Sequence, residues 1–194
     1  IESKQYKKIL IVSSDRGSIG RNFSEPESAA LLGDAAAAII IEPSNKSGLL
    51  DYKMETFPEG ALFTQVKGGG TYRHPDNPKT LDQDHYFTMS GPKVYKMARK
   101  KVYNMIGESL SKNNLDVRDI DLVIPHQASG TAIKAYSKFG GFDEDKVINI
   151  IGDYGNCVSA SIPLALCIAI KENKLQRGNL AMMIGTGAGL SVAS

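Results

Sequence analysis

The chain has few cysteines, almost no net charge and no long hydrophobic run. Cys157 and Cys167 are its two cysteines in 194 residues. Two thiols do not make a disulfide framework, and they fit a reducing, cytoplasmic compartment. The formal net charge of +2 removes any compositional case for a nucleic-acid partner. No apolar run approaches the roughly 20 residues that span a bilayer, so no membrane role is expected. The opening Ile1-Glu2-Ser3-Lys4 lacks both an initiator Met and the apolar core of a signal peptide. The expectation is a sequence that begins partway through a longer product. No side chain stands out as a nucleophile. What is present is ordinary for a globular protein: 42% hydrophobic and 23% charged residues, enough to bury a sizeable core in one large domain or two small ones.

Hydrophobic patterning divides the chain. Residues 8–14 read as a short buried strand, since Ile9, Leu10, Ile11 and Val12 run together. A glycine-punctuated loop follows, then a second strand over 35–42, whose small side chains suggest that something packs closely on it. Residues 44–86 show no sustained period and carry Gly68-Gly69-Gly70 with Pro58, Pro75 and Pro78. That is long for a connection and predicts a functional loop or cap. Val94, Ala98, Val102, Met105, Ile106 and Leu110 recur at helical spacing and predict a helix over 89–113, with Ser90 as N-cap. Lys93, Lys96, Arg99, Lys100 and Lys101 crowd its first half. They read either as a solvated face or as a docking surface for an acidic carrier protein or a phosphate. Strands over 121–125, 146–151, 180–184 and from 190 then alternate with helices over 128–139 and 161–173. Such alternation predicts an α/β fold: a mixed, mostly parallel sheet with helices packed on it. Reactive groups in such sheets gather at the carboxyl ends of strands.

Two polar residues follow apolar stretches. His126 ends Val123-Ile124-Pro125-His126, and Asn156 sits in Tyr154-Gly155-Asn156-Cys157. Pro125 stiffens the strand end, which suits a side chain that must hold its aim. Each side chain can donate a hydrogen bond, and two donors converging on one point would stabilise an oxyanion. Alone, each also has a plain structural reading: His126 as the cap of the next helix, Gly155-Asn156 as a turn. Cys157 beside them completes the parts of a cysteine hydrolase, against which stands its apolar setting, typical of a core thiol. Cys167, on an apolar helix, reads as core.

Gly185-Thr186-Gly187-Ala188-Gly189 reads as a tight loop. It lacks the following helix and distant acid of a dinucleotide site. Its glycines would instead let main-chain N–H groups approach a reacting oxygen. His74, Asp76, Asp82, Asp84 and His85 match no tight ligand spacing, so no metal is expected, and no motif calls for a cofactor.

Taken in order, these motifs resemble the C-terminal half of a 3-oxoacyl-(acyl-carrier-protein) synthase III, of the thiolase-like fold. The resemblance rests on Val123 to Ala128, Tyr154-Gly155-Asn156, Ser159-Ala160-Ser161-Ile162-Pro163, Phe87-Thr88-Met89-Ser90-Gly91, Leu32-Gly33-Asp34-Ala35, Asp121 and Gly185 to Gly189. It implies three parts: 1–43 as the end of the N-terminal half, 44–86 as an irregular cap, and 87–194 as the C-terminal half. It implies a decarboxylative Claisen condensation of an acyl thioester, from acyl-CoA or acyl-carrier protein, with malonyl-acyl carrier protein. In that chemistry His126 and Asn156 hold the enolate oxygen, and backbone N–H groups at Gly187 or Ala188 serve a second oxyanion hole. The family's cysteine nucleophile precedes the first strand of this chain. The expectation is therefore a portion that is inactive alone and, in the full-length enzyme, a homodimer. An Arg that the family often carries five residues after the His, linked to carrier docking, is Thr131 here, with Lys134 and Lys138 on the same helix as substitutes. Thr186 stands where the family loop often has Phe. Two rivals remain at this stage: a non-catalytic partner subunit of a thiolase-like heterodimer, and the Cys157-dependent hydrolase.

Overall fold

The computed structural model describes residues 4–194. Its centre is a four-stranded sheet in the order β3-β8-β7-β6, formed by β3 (Met54–Thr56), β8 (Ser191–Ala193), β7 (Ala181–Gly187) and β6 (Leu122–Pro125). β6 and β7 run parallel, while β7–β8 and β3–β8 are antiparallel. The sheet is therefore mixed as expected but not mostly parallel: among the described residues β6–β7 is its one parallel strand pairing against two antiparallel ones, because β8 returns from β7 by a hairpin. The connection from β7 to β8 spans three residues, which permits only a hairpin; β6 to β7 has room for the crossover that parallel strands need.

β6 is buried along its whole length, as expected for a strand covered on both faces. Its side chains alternate between two cores. Val123 faces the cluster built by Val102, Met105, Ile106 and Leu110 of helix α2 (Gly91–Lys112) and Ile133 and Tyr136 of helix α3 (Gly130–Gly140). Leu122 and Ile124 face Ala165 and Ala169 of helix α5 (Ser161–Lys171). Asp121 fastens the start of β6 to the lead-in of β7. Its carboxylate accepts from the Leu180 N–H at 2.7 Å, and its own N–H donates to the Leu180 carbonyl at 2.9 Å.

A separate antiparallel pair joins β1 (Ile9–Arg16) to β2 (Asp34–Ile41), in register from Ile9 opposite Ile41 to Arg16 opposite Asp34, with the short helix α1 (Pro26–Ala29) in the connection. β2 lies against α5, and its half-buried Ala35 and Ala37 meet the expectation of close packing on small side chains. β1 forms where predicted, yet it is not buried. Leu10 is 63% exposed and Val12 62%, with Ile40 of β2 at 68%. With only two strands, one face of the pair has no layer from these residues to cover it.

Three more expectations are corrected. Residues 146–151 do not form a strand. The segment touches β6 through one bridge, Val123 to Val147, with Ile148 N–H donating to the Val123 carbonyl at 3.0 Å. It then turns into the short helix α4 (Ile151–Tyr154). The ladder stops because Pro125, the next residue of β6 that would bond, has no N–H, and the Gln127 side chain bonds Ile148 and Ile150 instead. The glycine stretch is not a five-residue loop either: Gly185, Thr186 and Gly187 extend β7 and pair with Ala193, Val192 and Ser191. Finally, Cys167 is exposed, because α5 buries Ser161, Ala165 and Ala169 and turns Cys167 away from that stripe. Within 44–86 the structure also supplies β3 as an edge strand, β4 (Thr64–Gln65), which pairs with β5 (Thr88–Met89) just beyond, and 3-10 turns at Pro58–Phe63 and Asp82–His85. Polar side chains of this segment bond within the loop: Asp84 accepts from the Leu81 N–H, and His74 Nδ1 from the Asp76 N–H.

Candidate functional site

The parallel ladder delivers His126. Its N–H donates to the Ile184 carbonyl at 2.7 Å, continuing the β6–β7 pairing by one residue. The chain then leaves the sheet at its carboxyl edge, and Ser129 caps α3 by accepting from the Ala132 N–H at 3.2 Å. Between them Gln127 is fully buried. Its Nε2 donates to the Pro125 carbonyl at 2.9 Å and to the Ile148 carbonyl at 3.2 Å, while its Oε1 accepts from the Ile150 N–H at 2.9 Å. All of this amide's bonds are spent inside the protein. It ties the strand that carries His126 to the segment that leads towards Asn156. Sequence reasoning passed over Gln127, and the signal was a second polar residue, between His126 and Ala128, just past the end of an apolar strand.

His126 opens onto a cavity of about 490 Å³ between α2 and α3. The walls include Met89, Val94, Ala98 and Val102 on one side, Ala128, Ala132 and Ala135 on the other, and Thr186 from β7. Tyr103 and Tyr136 meet edge-on with ring centroids 6.3 Å apart, and the Tyr103 hydroxyl donates to the Ala135 carbonyl at 2.6 Å. Burial pushes the Tyr103 hydroxyl up to about 12, so it stays protonated as a donor. Burial also lowers the His126 imidazole from 6.5 to about 4, because the cavity wall disfavours the charged ring. At neutral pH the ring is an uncharged donor.

Asn156 is set by a different device. Its N–H donates to the Leu31 carbonyl at 2.6 Å, and its carbonyl accepts from the Gly33 N–H at 2.9 Å. These two bonds pin it to the lead-in of β2. Its side-chain Oδ1 accepts from the Val158 N–H at 3.0 Å. The acceptor end of the carboxamide is thereby occupied, and Nδ2 is the end left to donate. Val158 sits at φ 50°, an outlier for a β-branched residue, and such strain gathers at working sites. Asp15 of β1 braces the next residue by accepting from both the N–H and the hydroxyl of Ser159.

His126 and Thr186 share the cavity wall; Asn156, Gly187 and Ala188 are not among the residues that line it. Gly187 ends β7 opposite Ser191, and Ala188 begins the turn beyond it. Lys134 and Lys138 are exposed on the outer face of α3. The basic run of α2 is dispersed over several faces: Lys93 lies over Phe63, Lys101 over Phe57, and Arg99 over both Tyr95 and Phe139.

Cys157 does not join the donors as an attacker. It is buried, and its thiol donates to the Tyr154 carbonyl at 3.2 Å. Burial first, then the carboxylates of Asp34 and Asp15, raise it above the ordinary thiol value, the reverse of an activated nucleophile. Native-state alkylation at pH 7 is expected to label Cys157 at least about tenfold more slowly than the denatured chain does. Labelling as fast as in the denatured chain, read by peptide mass spectrometry, would revive the hydrolase reading.

Comparison with known proteins gives a consistent result. Residues 110–194 match the family model for the 3-oxoacyl-[acyl-carrier-protein (ACP)] synthase III C terminal, and residues 1–58 match that for 3-oxoacyl-[acyl-carrier-protein (ACP)] synthase III. The beta-ketoacyl-[acyl-carrier-protein] synthase III of Solibacter usitatus is 34% identical over 97% of this chain and 58% of its own length. That of Clostridioides difficile is 35% identical over 98% and 58%. The crystal structure of 3-oxoacyl-[acyl-carrier-protein] synthase III from Aquifex aeolicus superposes with a TM-score of 0.86 at 29% identity, over 99% of this chain and 58% of that one. The chain thus spans a little under three fifths of the length of these relatives. With matching family models at both ends, and the same fold between them, the chain belongs to the 3-oxoacyl-(acyl-carrier-protein) synthase III family.

Proposed function

We propose that this chain supplies the enolate-stabilising side of a condensing enzyme, with the acyl-carrying thiol contributed by polypeptide outside these 194 residues. The single observation that carries the reading is a neutral donor, His126, at the wall of an apolar cavity, with Asn156 assigned as the second donor. Asn156 has its acceptor end bonded away, which leaves Nδ2 to donate.

The chemistry runs in two steps. A thiolate attacks the carbonyl of an acyl thioester, an S–C bond forms, and the donor's thiolate leaves. A malonyl thioester then loses CO2. The broken C–C bond leaves its electron pair on C2 as an enolate, whose oxygen accepts from His126 and Asn156. C2 attacks the acyl-thioester carbonyl, the thiolate departs, and a 3-oxoacyl thioester is released. Donors fixed before the charge develops need no reorganisation during the step. The Gly187 and Ala188 N–H groups are assigned to the oxygen of the acyl thioester. Acyl-CoA or acyl-carrier protein, and malonyl-acyl carrier protein, are the proposed partners. Lys134 and Lys138 are weak carrier-docking candidates on the exposed face of α3. The division into 1–43, 44–86 and 87–194, a homodimer of the complete enzyme, and a cytoplasmic setting compatible with two unpaired cysteines belong to the same proposal.

The test is acylation. Incubated with acyl-CoA, this chain is expected to gain no acyl adduct and, with malonyl-carrier protein added, to release no 3-oxoacyl product. A stable acyl group on Cys157 by mass spectrometry would overturn the assignment.

A further inference from the structure

The segment that carries Asn156 is held at both of its ends by the β1–β2 pair. At the near end, the Asn156 N–H and carbonyl bond Leu31 and Gly33 in the lead-in of β2. At the far end, Asp15 of β1 accepts from the Ser159 N–H at 2.9 Å and from the Ser159 hydroxyl, both on one carboxylate oxygen. Such bonds to an ionised acceptor are stronger than neutral ones. Asp15 is half-buried and stands opposite Ala35 in the β1–β2 register, so its mount is an ordered strand. Among the described residues it has no ion-pair partner, and its carboxylate serves Ser159 alone. Between the two anchors lies Val158, whose φ is 50° and whose N–H donates to Asn156 Oδ1 at 3.0 Å.

The φ and ψ of Val158 are the two soft torsions between the peptide that presents the Val158 N–H and the peptide that presents the Ser159 N–H. The first peptide is bonded to the Asn156 side chain and the second to Asp15. A β-branched residue without such restraint returns to negative φ. That rotation would swing the Val158 N–H off Oδ1 and leave the carboxamide free to turn over. We propose that Asp15 is a positioning residue for Asn156. By gripping the Ser159 peptide it keeps Val158 in the left-handed region, and through the Val158 N–H it fixes which end of the carboxamide is left to donate. The proposal rests on the condensing-enzyme reading of Asn156. It adds to that reading a control point on β1 that touches no reacting atom.

The test measures CO2 release from malonyl-acyl carrier protein by the complete enzyme, with kcat and KM separated. Asn156→Ala sets the reference and is expected to cost about 100-fold or more in kcat. Asp15→Ala is expected to lower kcat about ten- to hundredfold and to leave KM within about threefold, as misplacement of a donor does. The loss should depend on both intermediaries. In the Asn156→Ala background, Asp15→Ala is expected to cost less than about twofold more. In the Val158→Gly background it is expected to cost less than about fivefold, because glycine holds a positive φ unaided. Asp15→Asn keeps an oxygen acceptor and should cost about three- to tenfold, with the same dependence on background. Being isosteric, it decides the matter if Asp15→Ala does not fold. An undiminished loss in either background would make Asp15 a plain structural brace and overturn the proposal. So would a kcat for Asp15→Ala within about twofold of wild type. If Asn156→Ala itself releases CO2 at the wild-type rate, the donor reading of Asn156 fails first, and the proposal falls with it.

Discussion

Replacing His126 with alanine is expected to slow malonyl-thioester decarboxylation by the complete enzyme about 100- to 1,000-fold, the usual cost of one preorganised oxyanion donor. The ring makes no side-chain hydrogen bond among the described residues and borders open cavity. Its removal therefore leaves no buried partner unpaired, and the variant should fold. A loss of less than about threefold in released CO2 would remove His126 from the enolate site. The pH dependence separates this role from that of a general acid. With the imidazole lowered to about 4, the donor stays neutral from alkaline pH down to nearly that value. The wild-type rate should show no inflection from this group near pH 6.5. Stability follows the same shift with a definite sign. Between about pH 6.5 and 4 the unfolded chain binds a proton that the folded chain refuses, so stability falls as the pH is lowered through that window and is unaffected above it. The His126→Ala variant should lose this part of the acid sensitivity.

His126 was legible in the sequence because both of its determinants are local. A buried apolar strand and a proline fix where it emerges, and the Ser129 cap fixes where the next helix begins. Asn156 was legible as a residue type, but its orientation was not. That depends on Leu31 and Gly33, more than 120 residues earlier, and on a Val158 conformation that no propensity suggests. Arg99 was hidden in plain view. A run of five cations on one helix reads either as a solvated face or as a docking surface, and only the approach of α3 shows that Arg99 lines the cavity. The strand expected over 146–151 failed for a related reason. Its apolar pattern is strand-like, yet the Gln127 side chain occupies the backbone groups of Ile148 and Ile150 that a ladder would use. Periodicity reports which face is buried; it does not report which partner satisfies the backbone. The exposure of β1 follows from the same limit. An apolar run signals that burial is wanted, and the burying layer has to come from elsewhere.

Gly33→Ala is expected to be the most damaging single methyl addition in the chain. A Cβ at this position would stand 1.9 Å from the Tyr154 carbonyl oxygen and 3.3 Å from the Cys157 sulfur. The first distance lies far inside contact, and the obstacle is backbone, which cannot rotate away as a side chain would. The segment must therefore separate from 154–157. That breaks the Gly33 N–H bond to the Asn156 carbonyl and strains the Asn156 N–H bond to Leu31. Overpacking plus a lost buried bond predicts about 3 kcal/mol of destabilisation, measurable by chemical denaturation. Activity should fall further than stability alone explains, because the displaced element is the one that holds the proposed donor Asn156. Gly152→Ala is the matched comparison: it lies on α4, and its Cβ would meet nothing within 4 Å. It should change stability by no more than about 1 kcal/mol, with helix propensity favouring alanine. Equal stability of the two variants would mean that the close approach of 31–33 to 154–156 does not exist in solution. The backbone anchoring of Asn156 to the lead-in of β2 would then lose its structural basis.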